Sequence, residues 1–389
     1  SFSVMRTTCK VKCFLTCLTL SSVLVILNFG FQTPVLPRKL LWDSTCPVCL
    51  GTHMCSELYD SSIFELSWPL KPWDRLLNAH HIFMGKYKNI SVVIKELFQP
   101  SEAIKMASIT KKAVQILNTG SKRHNHWPEL VEYLKDVGKT NEIVSAIRCL
   151  TSRTFNILMN GYSILDENHS DVIQYGISAQ ILNPEPLLLS AFKKNLGYPF
   201  PELIGVCNRV LVETNEGKSL REFLSTTFLT RVRISLALIH AVKKLTNNAH
   251  GVKLYITDPS LDNFVASLVK DRYIVSLVDA ENLILVDASS TDHNRTHQWS
   301  VDPSYDSGFA FSIDDLCAYS ESDHNEYAIC HSVLNPNRGN FLHQSGHMVS
   351  YGHRELIKII QNCIDPPINY SRAVAFEDLV LQLETIVNP

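Results

Sequence analysis

The residues best suited to chemistry lie in one short polar segment and just beyond it. Asp258 is followed five positions later by Asn263, and Asp279 comes after a further apolar run. One carboxylate can accept the proton of an attacking hydroxyl, while an amide and a second carboxylate can hold Mg²⁺ through oxygen atoms. A tight hairpin between Asn263 and Asp279 would bring these groups together, so the spacing indicates phosphoryl transfer.

The flanking sequence predicts the elements that position these residues. Apolar residues recur at three- and four-residue steps between Phe228 and Leu245, which is typical of a long helix with one buried face. The residues of that predicted face are Leu229, Val232, Leu236, Ile239 and Val242. Residues 264–268 and 273–278 have the pattern of two short strands. We therefore expect a helix, a polar loop and a hairpin, in that order, around Asp258.

Two further charged residues occur upstream, at the boundaries of predicted elements. The β-branched run Val92–Ile94 favours a buried strand, which ends at Lys95. Pro184 and Glu185 are typical of the first turn of a helix, and two short apolar runs follow that helix. A mainly helical segment, from residue 101 to about residue 170, is predicted to separate the lysine from the acid.

The composition describes a globular protein with a sizeable core. The chain has 389 residues, of which 45% are hydrophobic and 19% are charged, enough for one large two-lobed domain or two medium ones. The formal net charge of −2 argues against a general nucleic-acid binder, because such proteins carry a basic excess. We expect no nucleic-acid partner.

An apolar run near the start indicates entry into the secretory pathway. Residues 13–31 contain no charge and follow Arg6, Lys10 and Lys12, so the run can span a bilayer with its positive flank on the cytoplasmic side. A cleaved signal peptide and an uncleaved type II anchor both fit residues 1–35. In either case, the rest of the chain is expected to be lumenal or extracellular, with membrane attachment only if the segment is retained.

The cysteines agree with an oxidising compartment. Eight follow the apolar run, an even number that favours disulfides: Cys46, Cys49, Cys55, Cys149, Cys207, Cys317, Cys330 and Cys363. Cys46, Cys49, His53 and Cys55 form a cluster within residues 36–60 that could instead bind zinc, although disulfides are the favoured interpretation in a lumen. Four sequons agree with glycosylation there, at Asn89, Asn168, Asn294 and Asn369.

Four short runs carry a resemblance to a known family. They are Asn183–Leu187, Leu245–Asn248, Asp258-x4-Asn263-Phe264 and Val278–Asn282. Together they resemble the divergent protein kinase domain family of the secretory pathway, closest to the branch that contains the deleted-in-autism protein. The resemblance implies an α+β, two-lobed, protein-kinase-like fold and residence in the Golgi or outside the cell. Residues 61–213 would form the N-lobe, with a helical insertion at about 101–170, and residues 214–389 would form the C-lobe.

Transferred residue by residue, the resemblance implies a role for each candidate. Lys95 would contact the α- and β-phosphates of ATP, and Glu185 would pair with it. Asp258 would be the catalytic base. Asn263 and Asp279 would hold Mg²⁺ or Mn²⁺, which prefer oxygen ligands of this kind.

The sequence leaves the partner of the lysine and the activity open. Glu102, on the nearer predicted helix, competes with Glu185 for Lys95. Ile256-Thr257 stands where protein kinases usually have His-Arg, and Ala280-Glu281 stands where they have Phe-Gly. One hypothesis is a phosphotransferase that acts on a lumenal or extracellular protein. The alternative is a catalytically weak pseudokinase that acts as a secreted signalling ligand for a receptor or as a scaffold.

Overall fold

The computed structural model of the chain describes residues 48–60, 63–67, 82–118, 127–140, 149–162, 169–289, 292–299, 312–342 and 351–388. The apolar run at 13–31, Cys46 and the sequon at Asn168 lie outside these ranges. Within them, no helix combines the length and the apolar character that crossing a lipid bilayer requires.

A five-stranded antiparallel sheet carries Lys95. Its strands are β1 (Phe64–Ser67), β2 (Ile82–Tyr87), β3 (Ile90–Glu96), β4 (Leu203–Cys207) and β5 (Val210–Thr214), paired in the order β1-β2-β3-β5-β4. Lys88 and Asn89, both with positive φ, make the two-residue turn between β2 and β3, a turn that matches the twist of the flanking strands. The strand predicted to end at Lys95 is confirmed as β3, and Lys95 lies opposite Leu211 of β5.

The two faces of this sheet differ because successive strand residues point to opposite sides. One face is apolar and packs beside helix α1 (Cys55–Tyr59), and its side chains include Val92, Ile94, Val210 and Val212. A disulfide between Cys55 and Cys207 joins α1 to the end of β4. Lys95 and Glu213 lie on the other face, where they contact each other.

Between β3 and β4 most of the described residues are helical. They form α2 (Pro100–Asn118), α3 (Trp127–Thr140), α4 (Ser152–Tyr162), α5 (His169–Leu182) and α6 (Glu185–Ala191), followed by a 3₁₀ turn at Lys194–Leu196. All seven residues of α6 are buried. Helix α4 lies directly against it: a Cβ at Gly161 would come within 2.6 Å of Ala191 Cα, so glycine is the residue that permits this approach.

A disulfide and side-chain contacts connect the start of α4 to the second half of the chain. Cys149, just before the helix, is disulfide-bonded to Cys317. Arg153 Nη1 lies 2.6 Å from Oδ1 of the buried Asp287, and Thr151 Oγ1 donates to Asp287 Oδ2 at 3.2 Å. Helix α4 therefore connects the buried helix α6 to elements more than a hundred residues away in sequence.

The second half combines helices with small sheets. Its helices are α7 (Phe228–Thr246), α8 (Ile313–Ala318), α9 (His324–Ala328), α10 (Tyr351–Ile364) and α11 (Arg372–Val387), with a 3₁₀ turn at Leu220–Ser225 and a π-helix at Ile329–Leu334. Its strands are β6 (Lys218–Ser219), β7 (Val252–Tyr255), β8 (Phe264–Val269), β9 (Arg272–Leu277), β10 (Ile284–Asp287), β11 (Asp292–His297) and β12 (Tyr319–Ser322). Strands β6, β8 and β9 form an antiparallel sheet, β7 pairs with β10, and β11 pairs with β12 in parallel.

The helix and the hairpin predicted around Asp258 are confirmed. Helix α7 begins after Thr227, whose hydroxyl accepts a hydrogen bond from Thr230 N at 3.2 Å, and it ends at Thr246. Strands β8 and β9 form the predicted hairpin. Leu229, however, is 40% exposed, because it lies in the first turn of α7 before the helix enters the core. The buried face of the helix therefore starts at Arg231 and Val232.

The disulfide prediction is confirmed for the described cysteines. Cys330 and Cys363 form a third pair, and Cys49 is also disulfide-bonded. A cysteine binds zinc through its thiolate, which a disulfide sulfur cannot provide. Cys49 and Cys55, two members of the cluster predicted at residues 36–60, are thus structural crosslinks.

Candidate active site

Lys95 lies at the centre of the candidate site with its three N–H groups engaged. Its Nζ is 2.9 Å from Glu185 Oε1 and 2.8 Å from Glu213 Oε1. The same ammonium donates a hydrogen bond to the backbone oxygen of Val278, next to Asp279. Because an ammonium has three donors and no acceptor, these contacts use its full bonding capacity.

The structure pairs Lys95 with Glu185 and not with Glu102. Glu185 opens helix α6 and is only 2% exposed. Its Oε1 also accepts a hydrogen bond from Ala280 N at 3.3 Å, which ties α6 to the segment after β9. Glu102 instead accepts a hydrogen bond from Gln99 N at 2.6 Å, so it caps the start of α2.

Burial and ion pairing together set the protonation of these groups. Burial favours a lower pKa for Lys95, but the two adjacent carboxylates outweigh it and raise the pKa, so the ammonium stays charged. Burial raises the pKa of Glu185, although Lys95 opposes that shift. Burial likewise raises the pKa of Glu213 to about 8. Near neutral pH, Lys95 therefore carries a full positive charge, whereas Glu185 and Glu213 together carry less than two full negative charges.

The β8–β9 hairpin gathers the three downstream candidates at one end. Asn263 Nδ2 donates to the backbone oxygen of Asp258 at 3.1 Å, and Val278 N donates to the backbone oxygen of Asn263 at 2.9 Å. Asp258 is exposed, whereas Asn263 and Asp279 are half-buried. Since Val278 also accepts a hydrogen bond from Lys95, the hairpin end and the lysine belong to one site.

The residues that hold the Asp258 segment were missed by the sequence analysis. Buried Asn325, in helix α9, accepts a hydrogen bond from Ile256 N at 2.9 Å and donates to Leu254 O at 2.8 Å. Its neighbour His324 donates from Nε2 to Ile256 O at 2.7 Å. These contacts fix the backbone just before Asp258, and no local spacing in the sequence indicates them.

A further acid, Glu281, lies two residues after Asp279. Asn183 connects it to helix α6: the side-chain oxygen of Asn183 accepts from Glu185 N at 3.0 Å, and its Nδ2 donates to Glu281 Oε2 at 2.6 Å. Burial raises the pKa of Glu281 to about 7, and the charges of Asp279 and Glu185 add to the shift. The site thus carries a titratable group where protein kinases usually have glycine.

The oxygen atoms at the hairpin end fit a metal ion that arrives with a nucleotide. Within the described part of the chain, no three His, Cys, Asp or Glu side chains come together as a metal-ion site. Mg²⁺ commonly takes one or two protein ligands and completes its shell with water and phosphate oxygens. Asn263 and Asp279 can supply one amide and one carboxylate oxygen near the Lys95 ammonium, and this donor set suits that arrangement.

Comparison with known proteins identifies related sequences. Residues 178–366 match a family model described as the protein-kinase domain of FAM69. Human divergent protein kinase domain 2A is 26% identical to this chain over 393 residues, which cover 90% of this chain and 89% of the relative. The Xenopus tropicalis protein of the same name is 26% identical over 392 residues, which also cover 90% of this chain and 89% of the relative. Human divergent protein kinase domain 2B is 24% identical over 264 residues, 59% of this chain and 56% of the relative. The family match includes Glu185, Asp258 and Asp279 but begins after Lys95.

Proposed function

We propose that this chain, a member of the divergent protein kinase domain family, binds ATP with Mg²⁺ or Mn²⁺ and transfers phosphate to a lumenal or extracellular protein. The observation that carries the proposal is the buried ion pair between Lys95 and Glu185, held against the segment that bears Asp279. Protein kinases need this pair in place to position the nucleotide phosphates. The proposal includes a two-lobed arrangement, with the nucleotide between the five-stranded sheet and the β8–β9 hairpin.

Each candidate residue has a separate part in this proposal. Lys95 neutralises phosphate charge, and Asn263 and Asp279 provide oxygen ligands for the metal. The exposed Asp258 orients the hydroxyl of the acceptor and accepts its proton. When bound, the metal ion neutralises charge on the phosphate that is transferred.

Nucleotide binding is the first part of the proposal to test. Mg²⁺ or Mn²⁺ with ATP should raise the melting temperature of the purified chain, because a ligand at a hundred times its Kd stabilises a fold by about 2.7 kcal/mol. Asp279→Asn should abolish the metal-dependent shift. Asp262→Asn is the matched control, since Asp262 is exposed and pairs with Arg221 on the surface 2.6 Å away. A shift that survives unchanged in Asp279→Asn would remove the metal site from the proposal.

Phosphate transfer is the second part. ATP labelled at the γ-phosphate should pass its label to the chain itself or to dephosphorylated secreted proteins, and ATP labelled at the α-phosphate should not. Asp258→Asn should still bind nucleotide but lose transfer, because Asp258 lies at the surface and holds none of the groups around Lys95. Equal labelling by the wild type and Asp258→Asn would refute its role as the base.

A pseudokinase that serves as a secreted ligand or scaffold is the second candidate. Two features favour this candidate. Protein acceptors already use all three N–H groups of Lys95, and Glu281 places a further acid close to Asp279. In this case, a response of receptor-bearing cells to the purified chain would be the same for the wild type and for Asp258→Asn. Loss of the response in a folded Asp258→Asn variant would exclude this candidate.

Residence in the secretory pathway, in the Golgi or outside the cell, is part of the same proposal. Three disulfides between residues far apart in sequence support it, because such bonds persist in oxidising compartments. Asn89 and Asn369 are exposed, left-handed residues within sequons and would carry glycans there. Glycosidase digestion of the protein from cultured cells tests this placement, and membrane extraction shows whether residues 13–31 are retained as an anchor.

A further inference from the structure

Among the described residues, Glu213 contacts Lys95 but has none of the kinase-like roles assigned above. It lies on β5, on the same face of the sheet as Lys95, and it is 1% exposed. Its Oε1 is 2.8 Å from Lys95 Nζ. Its Oε2 makes no hydrogen bond within the described structure. A buried carboxyl oxygen without a donor is costly, so its retention requires another reason.

The bonding capacity of Lys95 limits what can join it. All three N–H groups are in use, so a phosphate can bind the ammonium only if a protein acceptor leaves. Glu185 has a second anchor in Ala280 N, and the oxygen of Val278 is fixed by the backbone of the hairpin. In the described part of the chain, Glu213 has no second donor of this kind, which makes it the contact that is easiest to replace.

Replacing the carboxylate of Glu213 requires a proton. A charged carboxylate without a partner is unstable in a buried site, whereas the protonated form is neutral and can stay there. Burial raises the pKa of Glu213 to about 8, so this proton is available near neutral pH. The charged groups that face Glu213 or its ion pair are Lys95 on β3, Glu185 on α6, Glu216 after β5, and Asp279 and Glu281 after β9. Glu216 is itself paired with Lys194 at 2.5 Å.

We propose that Glu213 is a built-in competitor of the nucleotide for Lys95, so that a phosphate oxygen replaces the Glu213 carboxylate on the ammonium group. The inference rests on the proposed nucleotide site and adds a specificity-determining residue to it. Binding is then coupled to protonation of Glu213, and nucleotide affinity falls as the pH rises. Nucleotide affinity is therefore highest at mildly acidic pH.

The test measures the Kd of MgATP by calorimetry between pH 7 and pH 9. For one group with a pKa of about 8, the Kd of the wild type should rise about tenfold over this range. Glu213→Gln keeps the size of the side chain and its acceptor oxygen but never ionises. Its Kd should change by less than about twofold and should be about tenfold lower than that of the wild type at pH 9. Glu202→Gln is the matched control, because Glu202 is exposed, and it should retain the wild-type rise.

A second measurement needs no variant. Titration of the wild type at pH 8.5 in two buffers of different ionisation enthalpy should show net proton uptake on binding. Equal pH profiles for the wild type and Glu213→Gln, or no proton uptake, would overturn the role of Glu213 while leaving the nucleotide site intact. Absence of binding in both proteins at every pH would instead overturn the nucleotide site and the inference with it. Binding by Glu213→Gln alone would support the inference in its strongest form.

Discussion

Asn325 offers the sharpest test of how the candidate base is positioned. Its side chain supplies the partners for Ile256 N and Leu254 O, two buried backbone groups just before Asp258. In Asn325→Ala, both groups lose their partner. Leaving a buried donor or acceptor unsatisfied costs about 1–3 kcal/mol each, so the loss in the free energy of unfolding should be about 4 kcal/mol.

Asn325→Asp separates hydrogen bonding from side-chain volume. An aspartate can still accept from Ile256 N, but it places a second acceptor against Leu254 O and adds a charge in a fully buried position. We therefore expect this isosteric change to be at least as costly as the alanine. Asn195→Ala is the matched control, because Asn195 is exposed and such surface changes usually stay within about 0.5 kcal/mol.

The assay is urea unfolding of the oxidised chain, combined with amide hydrogen exchange. The unfolding midpoint reports the lost free energy, and the Ile256 amide should lose its protection in Asn325→Ala before the amides of β7 do. A loss below about 1 kcal/mol, or an Ile256 amide as protected as in the wild type, would refute the idea that Asn325 positions this segment.

Three further variants test the buried contacts of the site and its support. Lys95→Met removes the cation that pairs with the buried Glu185 and Glu213, so it should lower the free energy of unfolding by about 3–5 kcal/mol. Any loss of activity in this variant should be compared with its unfolding curve. Wild-type stability would contradict the burial of these ion pairs. Gly161→Ala places a Cβ 2.6 Å from Ala191 Cα and should lower stability by about 1–3 kcal/mol in a thermal melt, whereas an unchanged melting temperature would show that α4 and α6 are not so close. Replacing Cys149 and Cys317 by serine removes a disulfide with a sequence separation of 168, for which chain entropy predicts a loss of about 5 kcal/mol in the free energy of unfolding, measured by chemical denaturation. A reductant should then destabilise this variant less than it destabilises the wild type.

The elements around Asp258 could be predicted because their signals are local. The three- and four-residue periodicity of α7 and the two short strands of the hairpin lie within a few dozen residues of one another. The spacing of Asp258, Asn263 and Asp279 therefore indicated that they would meet. Their chemical roles remain predictions, which the nucleotide and transfer experiments address.

The remainder of the site depends on contacts between distant parts of the sequence. Lys95 and Glu185 are separated by 90 positions and several helices, and only the family resemblance indicated that they pair. Glu213 follows three apolar residues in β5, and its burial against Lys95 depends on the register between β3 and β5, which the sequence does not determine. Asn325 is separated from Ile256 by 69 positions, and an asparagine at the start of a short helix usually indicates no more than a cap.

The enclosure of helix α6 has a mechanical consequence. Here all seven residues of α6 are covered, Gly161 of α4 touches its last turn, and α4 is bonded covalently through Cys149 to the opposite half of the protein. An outward movement of α6 would first have to break its packing against α4, so the Lys95–Glu185 pair is expected to stay closed even without a ligand.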